Sequence, residues 1–289
     1  MERVGIILSG GSGSRLWPAT LGVSKQLLPV FDKPMIFYPL STLILAGVKE
    51  FVVITNSINV DAYKKTLGDG SNLGITINIV AQKNPNGIAE AFLLAEKFIE
   101  NRETVLMLGD NLFFGDGFPQ HLKNVGEANK AVVFGYRVDD PRAYGVISID
   151  DQGKVIDIEE KPCNPTTNLA VPGLYFYPRS VVEVAKGLHP SSRGELEITD
   201  VNKAYIERDE LSVEIIGRGV AWLDMGTPTA LREAGDFIAA VQKRQGLLIG
   251  APEEASYRAG FITKLQFSSL IDNIPDGDYK RSLLKSLTG

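Results

Sequence analysis

The chain has 289 residues, 44% of them hydrophobic and 22% charged, with a formal net charge of −5. That length suits one large α/β domain or a domain with a smaller appendage, and the acidic balance speaks against a general binder of nucleic acid or anionic membrane, so any anion site is local. A lone cysteine, Cys163, excludes an internal disulfide framework; His121 and His189 sit in no metal-ligand spacing, which leaves zinc chemistry and Ser-His-Asp hydrolysis without support.

The first apolar run, residues 4–8, reads as a short buried strand. It is too short for a signal-peptide core or a bilayer span, so a cytoplasmic home is the default expectation. The strand opens into Ser9-Gly10-Gly11-Ser12-Gly13-Ser14-Arg15, whose glycines let backbone N–H groups turn toward an anion. No Asp or Glu occurs from Arg3 to Phe31, while Arg15 and Lys25 add fixed positive charge. This is a polyphosphate turn, but neither a Walker loop, which ends in Gly-Lys-Ser/Thr, nor a dinucleotide fingerprint, whose sixth position here is Leu16.

Downstream, strand patterns at 51–55, 75–81 and 104–108 alternate with helical patterns at 35–47, 60–67 and 88–100. The alternation predicts βαβ units and a mostly parallel sheet, with ligands outside the carboxyl ends of the strands, where the glycine turn lies. After Asp110 shorter strands are expected at 131–138, 145–149, 155–159 and 173–177, then helices at 181–188 and 198–208. Strands at 212–216 and 220–223 precede a long helix, 228–245, with Pro in its first turn and Gly246 past its end. The tail beyond Gly250 reads as short helices, and its apolar Phe261, Ile262, Leu265 and Phe267 suggest a subunit contact.

Asp110 and Asp224 each close an apolar strand. Singly, either caps a turn or the next helix; as a pair beside a polyphosphate turn they suit Mg²⁺, which takes one or two protein carboxylates and completes its shell with phosphate and water. Lys161 stands before Pro162, expected to fix an extended strand exit, and from there it can meet a monophosphate as a point charge. Its Glu159 and Glu160 neighbours would otherwise make it an ordinary surface pair. Tyr144-Gly145 and the stretch from Arg193 to Asp200 suit a polyhydroxylated substrate, although the latter equally fits a helix N-terminus.

Taken with Ser24-Lys25-Gln26-Leu27-Leu28-Pro29, Asp32-Lys33-Pro34-Met35-Ile36, Leu108-Gly109-Asp110-Asn111, Gly194-Glu195-Leu196-Glu197-Ile198-Thr199-Asp200 and Ala221-Trp222-Leu223-Asp224, these residues resemble the bacterial sugar-nucleotide pyrophosphorylases, in their thymidylyltransferase branch, over nearly the whole chain. The resemblance implies an α/β, Rossmann-like nucleotidyltransferase fold: a mixed, mostly parallel central sheet flanked by helices, a small sugar-side lobe and a helical C-terminal tail. It divides the chain into a nucleotidyltransferase domain, 1–245, with a nucleotide-binding half of about 1–110 and a sugar-binding half of about 111–227, and a helical extension, 246–289.

The implied reaction is the Mg²⁺-dependent condensation of dTTP with glucose 1-phosphate to dTDP-glucose and pyrophosphate, opening dTDP-deoxysugar synthesis such as that of dTDP-L-rhamnose. Arg15, Lys25 and Lys161 would be catalytic, and Asp110 and Asp224 would hold the metal. Leu8, Gly10, Gly11, Gly13, Ser14, Arg15, Lys25, Gln26, Gln82, Gly87 and Asp110 would bind the nucleotide, with Gln82 and the Gly87 backbone reading the base. Asn111, Tyr144, Gly145, Glu160, Lys161, Val171, Thr199 and Trp222 would bind the sugar phosphate. A homotetramer under feedback control by dTDP-rhamnose is implied too.

Two departures from the family pattern stand out. The stretch Gln82-Lys83-Asn84-Pro85-Asn86-Gly87 lacks the family's Pro after Gln and Asp before Gly, and Pro172 replaces a Thr. The alternatives are a uridylyltransferase making UDP-glucose, since UTP differs at the base only by a methyl, and, in another class, a catalytically silent sugar-nucleotide-binding regulatory subunit, disfavoured by the retained Arg15, Lys25, Asp110, Lys161 and Asp224. A nicotinamide oxidoreductase is disfavoured by Leu16.

Overall fold

The structure, a computed structural model, describes residues 3–11, 13–126 and 129–287; Ser12 of the glycine turn and both chain ends lie outside them. The first half lays down β1 (Arg3–Ser9), a small hairpin of β2 (Pro29–Val30) and β3 (Lys33–Pro34), then β4 (Glu50–Asn56), β5 (Thr76–Gln82) and β6 (Glu103–Leu108). Helices α1 (Phe37–Leu45), α2 (Val60–Leu67) and α3 (Glu90–Ile99) fall between them, as the apolar periods predict. The order β6-β1-β4-β5 is parallel throughout. Alternate side chains feed two cores: Val4, Ile6, Val52 and Ile54 meet Phe92 of α3, whereas Ile7, Phe51 and Val53 meet Leu40, Leu43 and Ile44 of α1. Burial on both faces is why these strands read as unbroken apolar runs.

The chain runs from β1 outward to β4 and β5, then returns to place β6 on the other side of β1. That reversal opens a crevice between the carboxyl ends of β1 and β6. The glycine turn and the Gly109-Asp110 turn both occupy it, tied by the Gly109 N–H donating to Leu8 O at 2.9 Å.

The second half contains β7 (Asn111–Gly115), α4 (Phe118–Asn124), β8 (Ala131–Arg137), β9 (Gly145–Ile149), β10 (Val155–Glu160), β11 (Leu169–Val171) and β12 (Leu174–Tyr177). It continues through α5 (Val181–Lys186), α6 (Ile198–Glu207), β13 (Leu211–Ile215), β14 (Val220–Asp224) and α7 (Pro228–Gln245). Beyond β6 the sheet extends antiparallel as β12-β8-β11-β9-β10, and β13 returns parallel to β8. Three of these elements, β7, α4 and β11, carry too few apolar alternations to stand out in the sequence. β14 leaves the main sheet and pairs antiparallel with β7, Asp224 opposite Asn111.

Helix α7 is capped by Thr227, whose side chain accepts from the Ala230 N–H, and ends at Gly246 in the left-handed region with φ 69°. Its Ala234 and Ile238 pack with Val30, Met35, Leu112 and Met225, buttressing the hairpin and the β7–β14 ribbon. The tail forms α8 (Pro252–Arg258), α9 (Lys264–Asp272) and α10 (Asp278–Ser286), and α8 packs on α1. Ile262 and Phe267 are buried in the tail's own core and Phe261 packs against the core around α1, so these apolar residues are satisfied within the chain; only Leu265 is largely exposed.

Candidate active site

The Ser14–Leu16 turn begins at Gly13, held in the left-handed region at φ 64°, and is anchored by buried Leu16 while Arg15 stays exposed. Ser14 is exposed beside it, and a Cβ on Gly11 would meet open space. Gly226 has a different reason to be glycine: Arg15 lies across it, with its guanidinium 2.9 Å from where a Cβ would stand. Arg15 thereby reaches over to Asp224.

Near the glycine turn two glutamines are buried, each with one end of its amide hydrogen-bonded within the fold. Gln26, in the turn Lys25–Leu27, accepts at Oε1 from Ser24 Oγ at 3.2 Å and Tyr63 Oη at 3.3 Å, while its backbone carbonyl accepts from the Ile36 N–H. Gln82, at the end of β5, donates from Nε2 to Glu90 Oε2 at 2.7 Å, and Asn86 Nδ2 donates to the other carboxylate oxygen at 2.8 Å. Gly87 takes φ 107° against the Leu196 backbone, where any Cβ would collide. Leu196 N–H donates to Asn86 O and Ala89 N–H to Leu196 O, so the 83–87 loop is pinned to the segment before α6.

The charge centre lies between the two halves. Asp110 follows β6, Asp224 ends β14, and the Met225 N–H donates to Asp110 O at 3.0 Å. Lys25, buried to 7% exposure, pairs with Asp110, the counter-ion a buried ammonium requires. Burial, and then the Asp110 charge, push the Asp224 carboxyl up to about 6, against the opposing pull of Lys25 and Arg15. A carboxylate whose ionisation is opposed by burial and by a neighbouring carboxylate is a natural seat for a divalent cation. Among the described residues no group of three or more His, Cys, Asp and Glu is gathered to hold a metal, so such an ion would draw the rest of its shell from phosphate and water.

Beside this charge centre a cleft of about 580 Å³ is lined by Arg15, Asp110, Tyr144, Lys161, Trp222 and Asp224 among others. Glu160 Oε2 accepts from Thr199 Oγ1 at 2.7 Å, and its Oε1 lies 3.2 Å from Lys161 Nζ and 3.7 Å from Arg193 Nη2. Asn111 Oδ1 accepts from Trp222 Nε1 at 2.7 Å and from the Gly173 N–H at 3.1 Å, and its Nδ2 donates to Asp110 Oδ1. The Trp222 ring packs against Tyr144 at 4.9 Å and Tyr136 at 5.5 Å. Val171 pairs with Gly145 across β11 and β9 in the cleft wall.

One expectation is corrected here. Lys161 does not leave β10 extended before Pro162 but turns into the left-handed region at φ 46°. Its N–H donates to Tyr144 O at 3.0 Å, adding one rung to the β9–β10 ladder, after which the chain must turn. The sequence reading also missed Glu90, Ser24 and Tyr63, which hold the two glutamines, and named Arg193 only as the start of the stretch to Asp200, not as a neighbour of Glu160. Only Glu90 carried a signal, as an acid four residues beyond Asn86.

A strand-end glycine turn, paired acids and a sugar-sized cleft at a sheet crossover describe a nucleotidyl-transfer site. The chain belongs to the nucleotidyl transferase family, whose sequence model matches residues 4–241. Its relatives are glucose-1-phosphate thymidylyltransferases: that of Mycolicibacterium smegmatis is 48% identical over 98% of each chain, and that of Neisseria gonorrhoeae 49% over 97% of this chain and 98% of its own. A crystal structure from Bacillus anthracis described by the same activity, in complex with a sucrose, superimposes with a TM-score of 0.75 at 38% identity, covering 81% of this chain and 94% of that one.

Proposed function

We propose that the chain joins dTTP and α-D-glucose 1-phosphate to form dTDP-glucose and pyrophosphate. The observation that carries this reading is the single cleft where Arg15, Asp110, Asp224 and Lys161 meet, one set of charges for a triphosphate and another for a monophosphate. A phosphate oxygen of the sugar attacks the α-phosphorus in line; the new P–O bond forms as the bond to the β-phosphate oxygen breaks. The attacking phosphate is already an anion, so no protein nucleophile or general base is needed, and catalysis is positioning and charge neutralisation.

In this reading Lys25 exchanges Asp110 for the nucleotide phosphates, Arg15 faces the α-phosphate and departing pyrophosphate, and Lys161 holds the sugar phosphate. Asp110 and Asp224 fit a divalent cation, which we assign as Mg²⁺; when bound it supplies charge neutralisation to the phosphates. Gln82 and Gly87 read the base, Glu160, Thr199 and Asn111 meet sugar hydroxyls, and Trp222 with Tyr144 forms an aromatic wall. The division into a transferase domain through 245 and a C-terminal extension belongs to the same reading. So do a homotetramer, entry into dTDP-deoxysugar synthesis and restraint by dTDP-rhamnose, which rest on family resemblance, and a cytoplasmic location, which is the default expectation.

The test is to offer purified protein glucose 1-phosphate with each of dTTP, UTP, ATP, CTP and GTP, with Mg²⁺ or with a chelator. Pyrophosphate and dTDP-glucose are expected from dTTP, and nothing with the chelator. A faster yield of UDP-glucose would make the chain a uridylyltransferase, and no pyrophosphate from any nucleotide would leave it a binding subunit.

A further inference from the structure

Gln82 is 2% exposed, and its amide is held at the nitrogen end by a hydrogen bond and packed at the oxygen end against Gly10. Glu90 takes a hydrogen from Nε2 at 2.7 Å, while Oε1 occupies the space that a Cβ on Gly10 would need, so the amide carbonyl faces the glycine turn. A carboxylate is acceptor-only. Turning the amide over would set Oε1 against Glu90 and lose a charge-assisted hydrogen bond. The second carboxylate oxygen is fixed by Asn86 Nδ2 at 2.8 Å, so Glu90 cannot swing away without breaking both contacts.

We infer that Glu90 is the positioning residue that sets base selectivity, committing Gln82 to an imide edge. In that orientation Oε1 accepts from a base N3–H, and the second Nε2 hydrogen donates to the neighbouring base carbonyl. Thymine and uracil present this donor and acceptor pair. Cytosine presents the reverse, an acceptor at N3 and an amino donor at C4, and needs the amide orientation that Glu90 forbids. Selection between dTTP and UTP does not pass through Glu90, because both offer the same edge. The inference rests on the nucleotidyl-transfer reading with Gln82 at the base.

The experiment measures kcat/KM and equilibrium binding for dTTP and CTP in wild type, Glu90→Gln, Glu90→Asp and Asn86→Ala. Glutamine at 90 both donates and accepts, so it tolerates either orientation of Gln82; aspartate keeps the charge but is too short for the contact. Both variants are expected to lower the dTTP-to-CTP ratio by ~10-fold or more, the worth of one hydrogen bond to a charged group, with kcat at saturating dTTP little changed. Asn86→Ala leaves the Gln82 contact in place and is expected to hold the ratio within about threefold of wild type. An equal loss on both nucleotides, an unchanged ratio, or Asn86→Ala relaxing the ratio as far as Glu90→Gln would overturn the inference while wild-type turnover of dTTP keeps the transfer reading. A wild type that neither binds nor uses dTTP would remove both.

Discussion

The two ends of the cleft are built on opposite principles. At the end proposed to take the base stand neutral amides, Gln26 and Gln82, buried to 4% and 2% exposure and each hydrogen-bonded by its own fold. At the end proposed to take the phosphates stand charges: Lys25 paired with Asp110, Lys161 beside Glu160, and Arg15 near Asp224 across Gly226. A buried amide is tolerated because its hydrogen bonds offset desolvation, so a shape for the base can exist before the base arrives. A buried cation cannot wait unpaired on the same terms, and Lys25 takes Asp110 as its partner, which phosphates would replace in the proposed reading. In the proposed reading, phosphate binding at buried Lys25 exchanges one ion pair for another, so little of that interaction appears as affinity and more is left to act in the transition state, whereas half-exposed Lys161 gives up only a surface pair and can contribute to binding.

The sharpest way to break this contrast is at the phosphate end. Asp224→Asn is expected to lower turnover at least ~100-fold, the scale of losing a principal electrostatic contact, while the protein still folds. Because the folded protein raises the Asp224 carboxyl to about 6, it binds that proton more tightly than the unfolded chain does. Asp224 therefore stabilises the fold below the ordinary carboxylate range and loses that contribution as pH rises through about 6. In chelator at pH ~7.5 the asparagine variant should melt above wild type by about 2–4 °C, the effect of ~1 kcal/mol in a domain of this size. The gap should close as pH falls from 6 toward 4, and a wild type that melts higher at neutral pH would show the carboxylate to be unstrained.

Lys161→Ala tests whether the charges divide between substrates. Loss of one charge-assisted contact, worth about 1.5–3 kcal/mol, should raise KM for glucose 1-phosphate by ~10- to 100-fold and leave KM for dTTP unchanged. The melting temperature should hardly move, since the lysine is half-exposed and its pair with Glu160 is a surface one. Equal changes in both KM values would merge the two phosphate subsites into one.

The same contrast explains what could be read from the chain before folding. The parallel strands, helix Val60–Leu67 and helix Pro228–Gln245 were legible because burial and capping write themselves into local periods. The charged residues were legible too, since a lone Asp after an apolar strand, or Arg15 in an acid-free stretch, is conspicuous. Their pairings were not. Lys25 finds Asp110 across 85 positions, and Gln26 finds Tyr63 across 37, contacts created by strand order rather than spacing. The left-handed turn at Lys161 was hidden for a related reason, because the ladder bond its N–H donates to Tyr144 O overrides the local preference before proline.

The smallest expected effect lies at the base end, and it separates a passive scaffold from an active one. Tyr63 is fully buried, and burial pushes its hydroxyl pKa up, so it stays neutral and shares a network with Ser24 at 3.0 Å and Gln26 at 3.3 Å. Tyr63→Phe removes one partner from Gln26 Oε1 but leaves Ser24 Oγ at 3.2 Å, so no buried acceptor is orphaned. The loss should be about 1 kcal/mol of stability, read as a fall of about 2–4 °C in melting temperature. KM for dTTP should rise only a fewfold with kcat unchanged, because a preformed slot that loosens slightly binds substrate and transition state alike less well. Should kcat fall while KM holds, the buried amides would be taking part in the transition state, and the base end would no longer stand apart from the charged one.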